Sequence, residues 1–226
     1  MLNEQDKAII NQGEWFNNCA LDLQAGLLEN AKIVNKNAGE ALFLRGDANC
    51  GLYCVIQGVA RVSGINGEGK EAVLSFIPQG VWFGEVALFD GGTRTHDVHA
   101  QTPLRLVHIS VRCLSRLVDQ TPLYWRDFGV LLSQKMRLVF SSLEDHALLS
   151  AEQKICKRLL LAASYDKSSY CIVMSQQQLA DMTYLSRQTV NQILQSLRQQ
   201  NMIELHYQRI DIIDKSGLVA ISNLNL

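Results

Sequence analysis

Between Lys32 and Ile109 the chain alternates short apolar runs, rich in Val, Ile, Leu and aromatic residues, with turn signals. The turns lie at Arg45-Gly46-Asp47, Asn66-Gly67-Glu68-Gly69, Pro78-Gln79-Gly80 and Asp90-Gly91-Gly92. Short strands at such spacing predict an all-β barrel or roll. At Thr121 the period changes. Thr121 suits a helix cap and Pro122 the first helical turn, and Trp125, Phe128, Leu132, Met136, Val139, Leu143 and Ala147 follow at spacings of three and four. This is one apolar stripe on a helix of about 25 residues. A helix between two domains leaves such a stripe partly uncovered, and pairing with the same helix of a second subunit covers it, so a parallel homodimer is expected. Burial against its own β domain is the alternative.

Further along, Gln153 to Ala163 reads as a helix with Ile155, Leu159, Leu160 and Ala163 inward, and Tyr165 to Tyr170 as a polar loop. Ser175-Gln176-Gln177-Gln178 matches a capping box, so a short helix runs from Gln176 to about Met182. Thr183-Tyr184-Leu185 makes a turn. Ser186 then caps a second helix, Arg187 to Gln199, with Val190, Ile193, Leu194 and Leu197 inward. Met202-Ile203-Glu204-Leu205 and Arg209 to Ile213 alternate as two strands around His206-Tyr207-Gln208, which makes a wing. The chain is thus predicted as α+β in three parts: a β-roll at 1–120, a long helix and hinge at 121–149, and a winged helix-turn-helix at 150–226.

The outward face of the second short helix carries Arg187, Gln188, Asn191, Gln192 and Gln195, with no acid. Major-groove reading needs such a face, because Arg forks onto guanine O6 and N7, and Gln or Asn onto adenine N6 and N7. The wing is placed to touch phosphate beside the groove.

Composition agrees with this division. The 226 residues, 47% of them hydrophobic, suffice for two ordinary domains with a core each. The net charge of -1 is unevenly spread: residues 150–226 hold eight Lys or Arg against six Asp or Glu, and the rest hold thirteen against sixteen. The positive side is the predicted nucleic-acid side. The N-terminus lacks a basic segment followed by an apolar stretch, and no run of about 18 apolar residues occurs, so a cytoplasmic protein without a membrane span is expected.

Cysteines stand at 19, 50, 54, 113, 156 and 171, and only Cys50 and Cys54 are close. On a strand those two share a face, but two thiols are too few for a zinc or iron-sulfur site; core thiols, no metal and no covalent cofactor are expected. No nucleophile elbow, zinc-ligand helix or phosphate loop is present. Gly64-Ile65-Asn66-Gly67-Glu68-Gly69 has no helix after it and reads as a hairpin turn. The chain is not expected to be an enzyme.

Leu185 to Leu194, with Leu197-Arg198-Gln199-Gln200-Asn201-Met202-Ile203, resembles the helix-turn-helix of the CRP/FNR superfamily of transcription regulators. The resemblance places Arg187 on the family's guanine-reading arginine, and Ser175, Ser186, Thr189 and His206 on positions that contact the DNA backbone. Gln188 stands where cyclic-AMP-responsive members have a cytosine-reading glutamate, and Gln192 where they have a second base-reading arginine. A changed half-site follows from these exchanges.

A second resemblance lies in the β region. Phe83 to Thr95 is similar to the phosphate-binding cassette of cyclic-nucleotide-binding domains, and Gly69 to Ile77 also resembles the family. Gly84-Glu85 followed by Val86 offers backbone N–H groups and a carboxylate, suited to phosphate and to a ribose 2′-hydroxyl, while Arg94 clamps phosphate and Thr95 adds a hydroxyl. His96 stands where nucleotide binders usually have alanine. An ungapped alignment places Val139 and Phe140 on the pair of hydroxyl residues that touches adenine, and a two-residue shift places Ser141-Ser142 there instead; the resemblance leaves both alignments open. His96, His99 and His108 read as ordinary strand or loop histidines, without haem.

The resemblance implies an N-terminal cyclic-nucleotide-binding-like jelly roll, a dimerisation helix and a winged helix-turn-helix. Cyclic AMP is the expected effector, with cyclic GMP or none as alternatives. The implied partners are a second subunit, two-fold symmetric double-stranded DNA, and RNA polymerase. The rival readings are a family member that is ligand-independent or differently triggered, and a ligand-sensing module that does not touch DNA.

Overall fold

The computed structural model describes residues 2–48, 51–69, 71–166 and 169–222. They divide into two compact units, Met1–Leu138 and Val139–Leu226.

The first unit opens with α1 (Glu4–Gln12), α2 (Glu14–Asn17) and α3 (Leu21–Glu29). Its strands are β1 (Lys32–Lys36), β2 (Ala41–Phe43), β3 (Gly51–Gln57), β4 (Ala60–Ile65), β5 (Glu71–Ile77) and β6 (Trp82–Phe83), then, after the short helix α4 (Val86–Asp90), β7 (Asp97–Ala100) and β8 (Leu104–Ser110). Helix α5 (Val111–Gln120) leads to α6 (Tyr124–Leu148), which runs on into the second unit. The strands form two antiparallel four-stranded sheets, ordered β1-β8-β3-β6 and β2-β7-β4-β5. This is the expected β-roll.

Strand β3 shows why the roll is stable. Side chains alternate across a strand, and here both faces are buried: Leu52, Cys54 and Ile56 join one core, Tyr53 and Val55 the other. The first core packs the sheet against the helices through Trp15, Phe16, Trp82 and Phe128, with Phe16 stacked on Trp82 at 5.5 Å and Trp15 edge-on to it at the same distance. The second lies between the sheets and holds Phe43, Tyr53, Phe83, Val98 and Leu106.

Helices α1 to α3 and α5 were not among the predicted elements, although their local signals are present. Asn3 and Asp6 form a reciprocal capping box on α1. Ser110 caps α5, whose Leu114 and Val118 are buried at helical spacing.

The long helix has the expected length, 25 residues; of the predicted stripe Phe128 is buried, while Trp125, Met136, Val139 and Leu143 are exposed, as a stripe left partly uncovered would be. Thr121-Pro122-Leu123 forms a tight turn, accepting from the amides of Tyr124, Trp125 and Arg126, so the helix proper begins at Tyr124. Tyr124 and Leu131 are buried beside Phe128, each one position round from the predicted Trp125 and Leu132, because the core approaches the helix from the side of Trp15. From Met136 onward the apolar residues Met136, Val139, Phe140 and Leu143 are 45 to 61% exposed.

The second unit contains α7 (Ala151–Ala162), β9 (Ser164–Asp166), β10 (Ser169–Val173), α8 (Gln176–Thr183), α9 (Arg187–Gln199), β11 (Ile203–His206), β12 (Arg209–Ile212) and α10 (Lys215–Ser222). Its antiparallel sheet is ordered β11-β12-β10-β9. Of the segment expected to be a polar loop at 165–170, the described residues Tyr165, Asp166, Ser169 and Tyr170 instead pair in strands β9 and β10, and β10 continues onto β12. Leu179, Val190, Leu194, Leu197, Ile203 and Ile210 form the core with Ile155 and Leu159 of α7.

Candidate effector site and nucleic-acid interface

In the cassette, Gly84 has φ +96°, and a Cβ there would lie 2.6 Å from the Gly51 carbonyl oxygen and 2.8 Å from Arg94 Nη1. Only glycine fits. That close approach brings two carbonyls around the Arg94 guanidinium: Nη1 donates to Gly84 (3.2 Å) and Nη2 to Gly51 (2.9 Å). The guanidinium carbon lies 4.1 Å from the Phe43 ring centroid, a cation–π contact. Arg94 is 5% exposed and forms no ion pair among the described residues, where its Nε also lacks a partner. Its fork therefore rests on backbone oxygen and not on an anion.

Glu85, 4% exposed, has the matching gap: Oε2 has no hydrogen-bond partner among the described residues. Burial pushes its carboxyl above the usual range, against the pull of nearby backbone amides and of the Lys135 and Arg94 cations. Burial conversely holds the Lys135 ammonium, on α6, below its ordinary value, with Glu85 and Cys54 opposing. A buried donor and a buried acceptor, each left unmatched, cost free energy that a ligand carrying the complementary groups would recover. Lys135 was missed from the sequence because it falls among polar residues of a helix read only for its apolar stripe.

Of the remaining predicted ligand residues, Val86 and Thr95 belong to the first unit with the cassette, and Ser141 and Ser142 to the second. Val86 is 39% exposed at the start of α4. Thr95 is exposed, its Oγ1 3.0 Å from His96 Nδ1, and its carbonyl accepts from Arg45 Nε. His96 is half-buried, and burial together with Arg45 holds it toward the neutral form. His108 stacks on Tyr53 at 4.5 Å. Ser141 and Ser142 are exposed on α6 in the second unit, as are Val139 and Phe140.

Cys54 is buried on β3, and Cys50 lies outside the described residues. Among the described residues no group of three His, Cys, Asp or Glu is arranged to hold a metal, and no helix is long and apolar enough to cross a membrane.

The reading surface is built differently. Ser175 Oγ accepts from the Gln178 amide (3.2 Å) while Gln178 Oε1 accepts from the Ser175 amide (2.7 Å), fixing the start of α8. The chain reverses at Tyr184, whose φ is 55°, and Ser186 caps α9 by accepting from the Thr189 amide (3.0 Å). These contacts use the serine oxygens as acceptors and leave Ser175 its hydroxyl proton to donate. Arg187, Gln188 and Gln192 are exposed and Asn191 partly so; with Gln176 they line one concave patch. Gln176, missed from the sequence, accepts from Asn191 Nδ2 at 3.0 Å. In the wing, Gln208 has φ 53°, and His206 Nε2 lies 3.2 Å from Asp211 Oδ2. Arg209 Nε donates to the other oxygen of Asp211.

A cyclic nucleotide-binding domain model matches residues 33–121, and a Crp-like helix-turn-helix model matches residues 153–221. The chain belongs to the CRP/FNR family. Similar to this CRP/FNR chain is the cAMP-activated global transcriptional regulator CRP of Haemophilus influenzae, 28% identical over 175 residues, which are 75% of this chain and 78% of that protein. The CRP/FNR-family regulator TTHA1359 of Thermus thermophilus has the same fold, with a TM-score of 0.72, 23% identity, and coverage of 86% of this chain and 100% of that one. So has the c-di-GMP responsive global regulator CLP of Xanthomonas campestris, at 0.69, 22%, and coverage of 83% and 98%. Its CRP/FNR relatives are transcription regulators and not enzymes. This chain accordingly joins a cyclic nucleotide-binding domain to a DNA-binding helix-turn-helix in a transcription regulator.

Proposed function

We propose that this regulator is a homodimer gated by a cyclic nucleotide bound at the cassette, with cyclic AMP as the first choice. The observation that carries the reading is the pair of buried, unmatched groups, Glu85 Oε2 and Arg94 Nε. The carboxylate suits a ribose 2′-hydroxyl and the guanidinium an anionic phosphate. Binding would draw the Arg94 fork from the carbonyls of Gly84 and Gly51 to the phosphate, with Gly84, Val86 and Thr95 at the edge. Base recognition falls to the hydroxyls of Ser141 and Ser142.

The exposed stripe of Met136, Val139, Phe140 and Leu143 supports pairing of α6 with its counterpart in a second subunit. In this reading residues 1–120 sense, 121–149 pair and couple, and 150–226 bind a two-fold symmetric operator and meet RNA polymerase. The effector favours one arrangement of the paired helices, and two recognition helices must present themselves about 34 Å apart to meet successive major grooves. On the DNA, Arg187, Gln188, Asn191 and Gln192 read bases, while Ser175, Ser186, Thr189 and His206 contact the backbone.

Calorimetric titration of the full chain with cyclic AMP, cyclic GMP and cyclic di-GMP tests this, alongside Arg94→Ala. Saturable binding of a cyclic nucleotide that Arg94→Ala abolishes is expected. Binding of none of the three would leave a ligand-independent or differently triggered regulator.

A further inference from the structure

The patch on the reading face contains one residue that belongs to another helix. Gln176 is the first residue of α8, fixed in place by the reciprocal cap of Ser175 and Gln178, and its Oε1 accepts from Asn191 Nδ2, fifteen residues on, in α9. Around this pair lie Arg187, Gln188 and Gln192, so the patch holds four carboxamides and a single cation. Such a surface suits base edges more than phosphate, since phosphate contact is carried mainly by charge.

The inventory of hydrogen-bonding groups then decides what Asn191 presents. Its amide has two N–H donors and one carbonyl oxygen. One N–H is spent on Gln176. With the hydrogen anti to Oδ1 directed at Gln176, the syn N–H and Oδ1 stand side by side, a donor and an acceptor matching adenine N7 and the adenine N6 amino group. A carboxamide free to rotate would present this pair only part of the time.

We propose that Gln176 is a specificity-determining positioning residue of the DNA site: by holding Asn191, it makes the recognition helix select an A·T pair at one position of each half-site. This rests on the DNA binding of the regulator and not on which effector it takes.

The test is selection from randomised duplex DNA by the full-length protein, with and without each cyclic nucleotide, followed by binding measurements on the selected site and its single-base variants. Asn191→Ala should lose the preference for adenine at one symmetric pair of positions by roughly 5- to 150-fold, the range of one bidentate contact. Gln176→Leu should lose a smaller part of that preference at the same positions, and should add nothing in the Asn191→Ala background. Gln176→Glu keeps an acceptor for Asn191 Nδ2, so it should restore the adenine preference while weakening binding to all sequences alike through its charge. Thermal unfolding of each variant separates these effects from loss of fold.

If Gln176 merely ties α8 to α9, Gln176→Leu will lower the melting temperature and the affinity for every sequence by a common factor, and the proposal fails. It also fails if Gln176→Leu leaves the base preferences of the wild type intact. A wild type that enriches no sequence under any condition overturns the assignment of α9 as a base-reading helix, and the inference with it.

Discussion

The two halves of the molecule treat polar groups in opposite ways. At the cassette, Glu85 and Arg94 are almost wholly buried and each keeps an atom without a partner. On the reading face, Ser175, Gln178, Ser186, Thr189, Asn191 and Gln176 bond one another while the surface stays open to solvent. The first arrangement stores an unmet demand that a specific ligand relieves; the second fixes side chains in advance, which lowers the ordering cost of binding. A sensor gains from the one and a reader of sequence from the other.

The largest break in this contrast should come from Gly84→Ala. A side chain at φ +96° is strained, and its Cβ would press on the Gly51 carbonyl, so about 3 kcal/mol of stability should be lost from the sensor half. Chemical denaturation followed by tryptophan emission measures it, with effector binding lost as well. On the other side, Arg187→Ala removes an exposed side chain and should leave the melting temperature unchanged. It should cost about 1–3 kcal/mol in affinity for the true operator, measured by fluorescence anisotropy. A uniform loss across all sequences would instead make Arg187 a phosphate contact.

The smallest effect is a matter of pH. Burial raises the Glu85 carboxyl in the folded state, so the native protein holds its proton where the unfolded chain has released it. Stability contributed by this group is therefore full at acid pH and falls as pH rises from the ordinary carboxylate range to the raised value, then levels off. Glu85→Gln cannot ionise. It should flatten that slope in melting curves taken across the acid range, and a slope unchanged by the substitution would show that the carboxyl is not the source.

What could be read in advance follows the same divide. The helix-turn-helix was legible nearly to the residue, because each of its signals is local: Ser175 with Gln178, the turn at Tyr184, the cap at Ser186, the wing strands around Tyr207 and Gln208. The cassette was legible as a motif but not as a geometry. Arg94 is held by Gly51, 43 residues away, and by the ring of Phe43, and no spacing rule reports such partners. The pairing of Gln176 with Asn191 escaped for the same reason, since Gln176 reads from the sequence as ordinary helix surface. In α6 the helical period and the partly uncovered stripe were visible, but the packing of Tyr124 and Leu131 beside Phe128 was not, because it is set by where Trp15 and the rest of the core approach the helix.

The aromatic core of Trp15, Trp82 and Phe128 has one more consequence. All three tryptophans of the chain, the third being Trp125 against Phe89, belong to the first compact unit, Met1–Leu138, and Trp82 lies two residues before Gly84. The protein thus carries its own optical label on one side only. Intrinsic tryptophan emission follows the first unit, while backbone circular dichroism follows both, so a circular-dichroism transition with no counterpart in the emission belongs to the reading half, which has tyrosine but no tryptophan.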